Sequence, residues 1–163
     1  MLTGDLTDLG ARVGEALRRR GETVAVAESS SGGLISAALL AAPGASAYFL
    51  GGAVIYTGKA RMSLMGLPRE AVAGMRSASE PYALLLARTV RENLGASWGL
   101  SETGAAGPTG NPYGDAAGHS CLAISGVQDA SLTLETGGSD RLANMEAFAA
   151  ASLRLLLAAL EAE

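Results

Sequence analysis

Short apolar runs alternate with longer helical stretches along almost the whole chain, and few architectures accept that order. Leu6, Leu9, Val13, Ala16 and Leu17 recur at helical spacing within residues 2–20, and Gly21 supplies a C-terminal stop. Residues 23–27 (TVAVA) form a short β-branched run. Helical stretches are predicted at 34–42, 59–65, 68–75, from the Ser79-Glu80-Pro81 start to Gly95, and at 140–162. Strands are predicted at 23–27, 48–57, 97–103, 119–125 and 131–136. Helices interleaved with apolar strands imply an α/β fold, a three-layer α/β/α sandwich. The closely spaced last two strands imply one antiparallel member, so the five-stranded sheet is expected to be mixed and mostly parallel.

A chain of 163 residues suits one domain, expected to span residues 1–163. Only 4% of it is aromatic, so Leu, Val, Ile and Ala must fill the core. The net charge of −4 argues against a nucleic-acid partner, which usually meets a clustered basic face. The one basic run, Arg18, Arg19 and Arg20, complements a helix C-terminus. A single cysteine, Cys121, forms no internal disulfide and fits a reducing compartment. The N-terminus has no apolar leader segment, and no apolar run reaches the ~18 residues that span a bilayer. The expected location is therefore cytoplasmic, with no membrane partner and no metal.

Three loops carry chemistry. Glu28-Ser29-Ser30-Ser31-Gly32-Gly33 joins a buried strand to a helix, where free N–H groups and the helix dipole favour an anion such as phosphate. The same serines also suit a plain helix cap. Thr103-Gly104-Ala105-Ala106-Gly107-Pro108 leaves another strand end, and ligands of α/β sheets gather outside those ends. Arg141, within Gly137-Gly138-Ser139-Asp140-Arg141, has the geometry to grip a phosphate or to pair with an aspartate. Ser46 follows Pro43-Gly44, and Lys59 and Arg61 lie beyond Tyr56. His119 and Cys121 share one face of a strand, as core packing or as a Cys/His pair. Trp98 and Tyr56 are either structural or stacking platforms.

Together these segments resemble the CinA family in its C-terminal domain. The likeness rests on Ala27-Glu28-Ser29 with Gly32-Gly33, Pro43-Gly44-Ala45-Ser46-Ala47 with Phe49 and Gly52, Tyr56, Ser79-Glu80-Pro81, the 103–108 loop, and Gly138 to Arg141 as a Gly-Asp-Arg element. It runs in order over nearly the whole chain. The molybdopterin-binding-like domain that precedes this unit in longer CinA proteins is expected to be absent. The resemblance implies a mixed five-stranded sheet, a homo-oligomer with a dimer favoured, no cofactor, and a pyridine mononucleotide as small-molecule partner. It implies an amidohydrolase that converts nicotinamide mononucleotide and water to nicotinate mononucleotide and ammonia.

Carried over by position, Ser46 falls at the family's nucleophile, and Ser29, Tyr56, Thr103 and Arg141 at positions that bind substrate or support catalysis. Ser31, Gly32, Gly33, Gly104, Gly107 and His119 complete the expected substrate-binding set. Two departures stand out. The family's Ser-Asn-Glu-Ala-Lys segment reads Thr57-Gly58-Lys59-Ala60-Arg61 here, so Arg61 replaces the general-base lysine. Arginine keeps its proton and cannot act as that base. Asp115-Ala116-Ala117-Gly118-His119 stands where the family has Lys-Pro-Val-Gly-Thr, which makes His119 a candidate substitute base. The alternative reading is a catalytically impaired module that binds a nucleotide in the same pocket.

Overall fold

A computed structural model of the chain describes residues 2–162. Five strands form one sheet: β1 (Val24–Glu28), β2 (Phe49–Val54), β3 (Trp98–Ala105), β4 (His119–Ser125) and β5 (Ala130–Glu135). Their spatial order is β2-β1-β3-β4-β5. β1 pairs parallel with β2 and β3, while β4 pairs antiparallel with β3 and β5. Four strands thus share a direction and β4 alone is reversed, the mixed sheet expected from the sequence. The register of β2 on β1 slips between Val24 and Ala25, so Leu50 is an extra residue at that point.

The helices are α1 (Gly4–Arg20), α2 (Leu34–Leu40), α3 (Gly58–Met65), α4 (Glu80–Leu94) and α5 (Arg141–Glu161). α1, α2 and α5 enclose one core with Val24, Val26, Leu100 and Ile124. α3 and α4 cover the other face, over Ala25, Ala27, Cys121 and Ala123. Small residues set these distances. A Cβ on Gly10 would sit 2.1 Å from the Ala38 carbonyl oxygen, so α1 and α2 touch backbone to backbone.

α5 is the one described helix long and apolar enough to cross a membrane, although no apolar run in the sequence suggested one. Half of it is buried inside the protein, against the sheet and α1, which accounts for its composition. Two other boundaries differ from expectation. Residues 68–75 hold only a 3-10 turn, Arg69–Val72, because Gly66 and Gly74 adopt positive φ on either side. β2 stops at Val54, since Thr57 leaves the sheet to cap α3 by accepting from the Ala60 N–H at 3.1 Å.

Candidate active site

The loop after β1 does not offer its N–H groups to a ligand. They are already taken by two buried glutamates of the sheet. Glu28 Oε1 accepts from Ser31 Oγ at 2.6 Å, Gly33 N at 3.1 Å and Ile35 N at 3.0 Å, and its Oε2 from Ser36 N at 2.8 Å. Glu102, on β3, accepts from Ser29 N at 3.1 Å and Ser31 N at 2.8 Å, and from the hydroxyls of Ser30 and Ser120. Both carboxylates are fully buried; the start of α2 satisfies Glu28, and the serine loop with Ser120 of β4 satisfies Glu102. The expected phosphate cradle is thus filled from within. Ser31 and Gly33 belong to this internal lock, the Gly32 N–H donates to the Ser29 carbonyl at 3.1 Å, and none of the three lines the cleft.

The cleft lies one step further out, beyond the carboxyl ends of β1, β2 and β3. It encloses about 290 Å³. Its polar lining includes Ser29, Tyr56, Thr57, Arg61, Ser77 and Thr103. Ser29 follows β1, Tyr56 and Arg61 follow β2, and Thr103 projects from β3 on the face covered by α4. Gly104 lines the cleft too, and a Cβ there would sit 2.4 Å from the His119 carbonyl oxygen, so its role is close pairing of β3 with β4. Asn111, Pro112 and Tyr113 close one side. Asn111 shapes that loop, its Oδ1 accepting from the Tyr113 and Asp115 N–H groups at 3.1 Å each.

Beyond Arg61, Ser77 and Tyr113 the cleft opens into a groove of about 720 Å³ that carries Arg69 and Arg76. Arg76 is paired with Asp115 at 2.6 Å. Arg61 donates from Nε to the Leu67 carbonyl at 3.2 Å, and among the described residues no carboxylate pairs with it or with Arg69. Arg141 stands at the rim. One guanidinium nitrogen donates to the Tyr56 hydroxyl at 3.2 Å and another to the Gly107 carbonyl, so Arg141 and Gly107 tie the edges of the cleft together. Lys59 does not line it, as its helical phase from Arg61 implied.

Two expectations are corrected. His119 is not a free base in the cleft. Its Nδ1 lies 2.5 Å from a Glu135 carboxylate oxygen and its Nε2 lies 2.7 Å from the Ala78 carbonyl, both acceptors. Burial disfavours its charge, but the bonds to Ala78 and Glu135 and the nearby Asp115 outweigh it and raise its pKa. With both ring nitrogens donating, it pins β4 and β5 to the start of α4. Cys121 is buried, and burial pushes its thiol pKa up, which removes the Cys/His pair as a nucleophile.

Ser46 is the larger correction. It is exposed in the 3-10 turn Ala45–Ala47 that precedes β2. The cleft lies past the other end of that strand. Six residues at about 3.3 Å each separate the two ends by more than about 16 Å. Ser46 and Arg61 of one chain therefore do not share a pocket. Trp98 is also remote. It is buried at the opposite end of the sheet and donates to Glu22 at 2.9 Å.

Sequence reasoning missed the Asn111–Tyr113 wall and the two glutamates. A glutamate at the end of an otherwise apolar strand, facing a run of serines, was the available signal for the glutamates.

The sequence profile described as the CinA C-terminal domain matches residues 6–160. A "CinA-like protein" of Chlorobium limicola is 38% identical over 157 residues, covering 93% of this chain and 36% of its own length. A "Putative competence-damage inducible protein" of Desulforamulus reducens is 46% identical over 105 residues, covering 63% of this chain and 26% of its own. The chain spans about a third of the length of such curated relatives. Among solved structures, a competence/damage-inducible protein from Agrobacterium tumefaciens superposes with a TM-score of 0.90 at 28% identity, over 99% of both chains. One from Enterobacter asburiae gives 0.88 at 28%, over 96% of this chain and 98% of that one. A match over nearly all of the described chain, on the same fold, leads to one statement: the chain belongs to the CinA C-terminal domain family.

Proposed function

We propose that the cleft binds a pyridine mononucleotide and hydrolyses its carboxamide, turning nicotinamide mononucleotide and water into nicotinate mononucleotide and ammonia. The observation that carries this reading is the convergence of three hydroxyls, on Ser29, Tyr56 and Thr103, with the carboxylate-free guanidinium of Arg61 at three strand ends. The groove with Arg69 has charge for the phosphate. The hydroxyls suit the ribose and the amide.

A serine oxygen attacks the carboxamide carbon, donors in the cleft stabilise the oxyanion, the hydroxyl proton passes to the amide nitrogen, and the C–N bond breaks to release ammonia and leave the acyl ester. Water then hydrolyses the acyl ester to the free acid. Arg61 holds negative charge in this scheme but takes no proton.

One observation favours a second reading, a nucleotide-binding module with little or no turnover. The cleft lining contains no His, Lys, Asp or Glu, so a single chain offers no side-chain base. General-base catalysis is worth about 10²–10⁴ in rate. Slow ammonia release is expected from the wild type, and a rise of that order is expected in Arg61→Lys. Absence of ammonia from both proteins, with binding retained in calorimetry, establishes the second reading. Absence of binding removes this substrate class.

A further inference from the structure

We infer that the site takes a pyridine dinucleotide, with its pyridine nucleotide half in the cleft and a second nucleoside, joined through a pyrophosphate, in the groove that opens from it. This rests on the nucleotide reading of the cleft and extends its substrate class beyond a mononucleotide.

Size comes first. The cleft encloses about 290 Å³ and the groove about 720 Å³. Small-molecule pockets span roughly 300–1,000 Å³, so the cleft alone suits a small ligand and leaves the larger space over. Arg61, Ser77 and Tyr113 line both spaces, which makes the two continuous at that point. A nucleotide with its ring among Ser29, Tyr56 and Thr103 turns its phosphate toward this junction. The phosphate is also the group through which one nucleotide is joined to another.

The groove carries the groups that a second nucleotide needs. Arg61 and Arg69 have no carboxylate partner among the described residues, which gives two guanidiniums for the two singly charged phosphoryls of a pyrophosphate. Arg76 is spent on the wall, because its partner Asp115 also accepts from Asn111 Nδ2 at 2.8 Å. Glu70 follows Arg69 in one exposed 3-10 turn, and among the described residues its carboxylate makes no hydrogen bond or ion pair. A carboxylate beside a bare phosphate site only weakens it. Beside a ribose it accepts from the hydroxyls, as acidic residues do in dinucleotide folds. Tyr113 and Met75 line the groove, are 52% and 38% exposed, and belong to none of the apolar clusters. An aromatic ring and a thioether there give a base a surface to stack on. The ring is well placed for it, since Asn111 Oδ1 fixes the Tyr113 N–H at 3.1 Å.

The dinucleotide presents the same carboxamide to the cleft. Attack on its carbon breaks the C–N bond, so dinucleotide carboxamide and water become dinucleotide acid and ammonia, and the pyrophosphate stays intact. Calorimetric titration of the wild type compares nicotinamide mononucleotide with oxidised nicotinamide adenine dinucleotide. The dinucleotide is expected to bind about tenfold tighter, the gain typical of one stacked base. Equal or weaker binding of the dinucleotide overturns the inference. Tyr113→Ala and Glu70→Ala change exposed side chains, and each is expected to cut the preference for the dinucleotide by about tenfold. Glu70→Ala separates a ribose contact from simple repulsion, because loss of a merely repelling charge raises dinucleotide affinity. That rise, or a preference that survives both substitutions, overturns the groove assignment.

Ammonia release is assayed with both ligands on the wild type and on Arg61→Lys. Preferential binding of the dinucleotide without ammonia from either ligand defeats the amidohydrolase reading and leaves the groove assignment standing. Ammonia from the mononucleotide with no preference for the dinucleotide does the opposite. Binding of neither ligand overturns both.

Discussion

Glu28 and Glu102 show how single residues decide what a loop can do. Each is buried, and each accepts four hydrogen bonds from the serine loop, the start of α2 or β4. Removing acceptor capacity from such a site strands donors that have no water to turn to. Glu28 takes backbone N–H donors on both oxygens, so in Glu28→Gln either orientation of the amide sets its NH2 against the Ser36 N–H or the Gly33 and Ile35 N–H groups. A loss of about 3 kcal/mol, the upper part of the range for a stranded buried group, is expected in urea unfolding. A change under about 0.5 kcal/mol, the level of an ordinary surface substitution, contradicts the lock. The loop chemistry was legible in the sequence as an anion site, and it is one. The anion is the protein's own, because the loop's spacing from β3 brings Glu102 beneath it, a distance no local pattern records.

Ala78 shows the same effect between elements. It sits at φ +56 just before α4, a region that costs an L-residue roughly 1–2 kcal/mol. The His119 Nε2 and the Cys121 thiol both donate to its carbonyl, so β4 holds the turn in place. Gly occupies this conformation without that cost, so Ala78→Gly is expected to raise stability by up to about 1 kcal/mol, measured by urea midpoint. An unchanged or lower midpoint contradicts strain at this position. The strands and helices themselves were largely readable from period and caps. The 3-10 turn at Arg69–Val72 and the early end of β2 were not, since glycine φ values and a threonine cap override apolar spacing there.

For the whole molecule, the ionisable groups set a stability maximum on the acid side of neutrality. His119 has a raised pKa, so its contribution is full below its ordinary value of about 6.5 and is lost as pH rises through the raised value. Glu80, held low by the Thr133 and Ser131 hydroxyls, contributes above the usual carboxylate range. Asp115, where bonds from Asn111 and Arg76 outweigh burial, behaves likewise. Both contributions fade as pH falls through the lowered values. Thermal unfolding across pH 4–9 is expected to peak near pH 5–6, between these two limits. His119→Gln is expected to flatten the alkaline limb and spare the acid limb. A wild-type profile that keeps rising to pH 9 contradicts a charged His119.

The sequence alone determined the layered α/β architecture, the reversed member of the sheet and most element boundaries, because apolar period, glycine stops and hydroxyl caps act over a few residues. It also marked Ser29, Tyr56, Arg61 and Thr103 as chemically capable groups. Only the tertiary structure decided which of them meet. Parallel pairing of β1, β2 and β3 gathers whatever follows those strands at one end. By the same pairing it sends Ser46, which precedes β2, to the other end. Proximity along the chain cannot distinguish those two outcomes, since the length and direction of a strand intervene between neighbours in sequence.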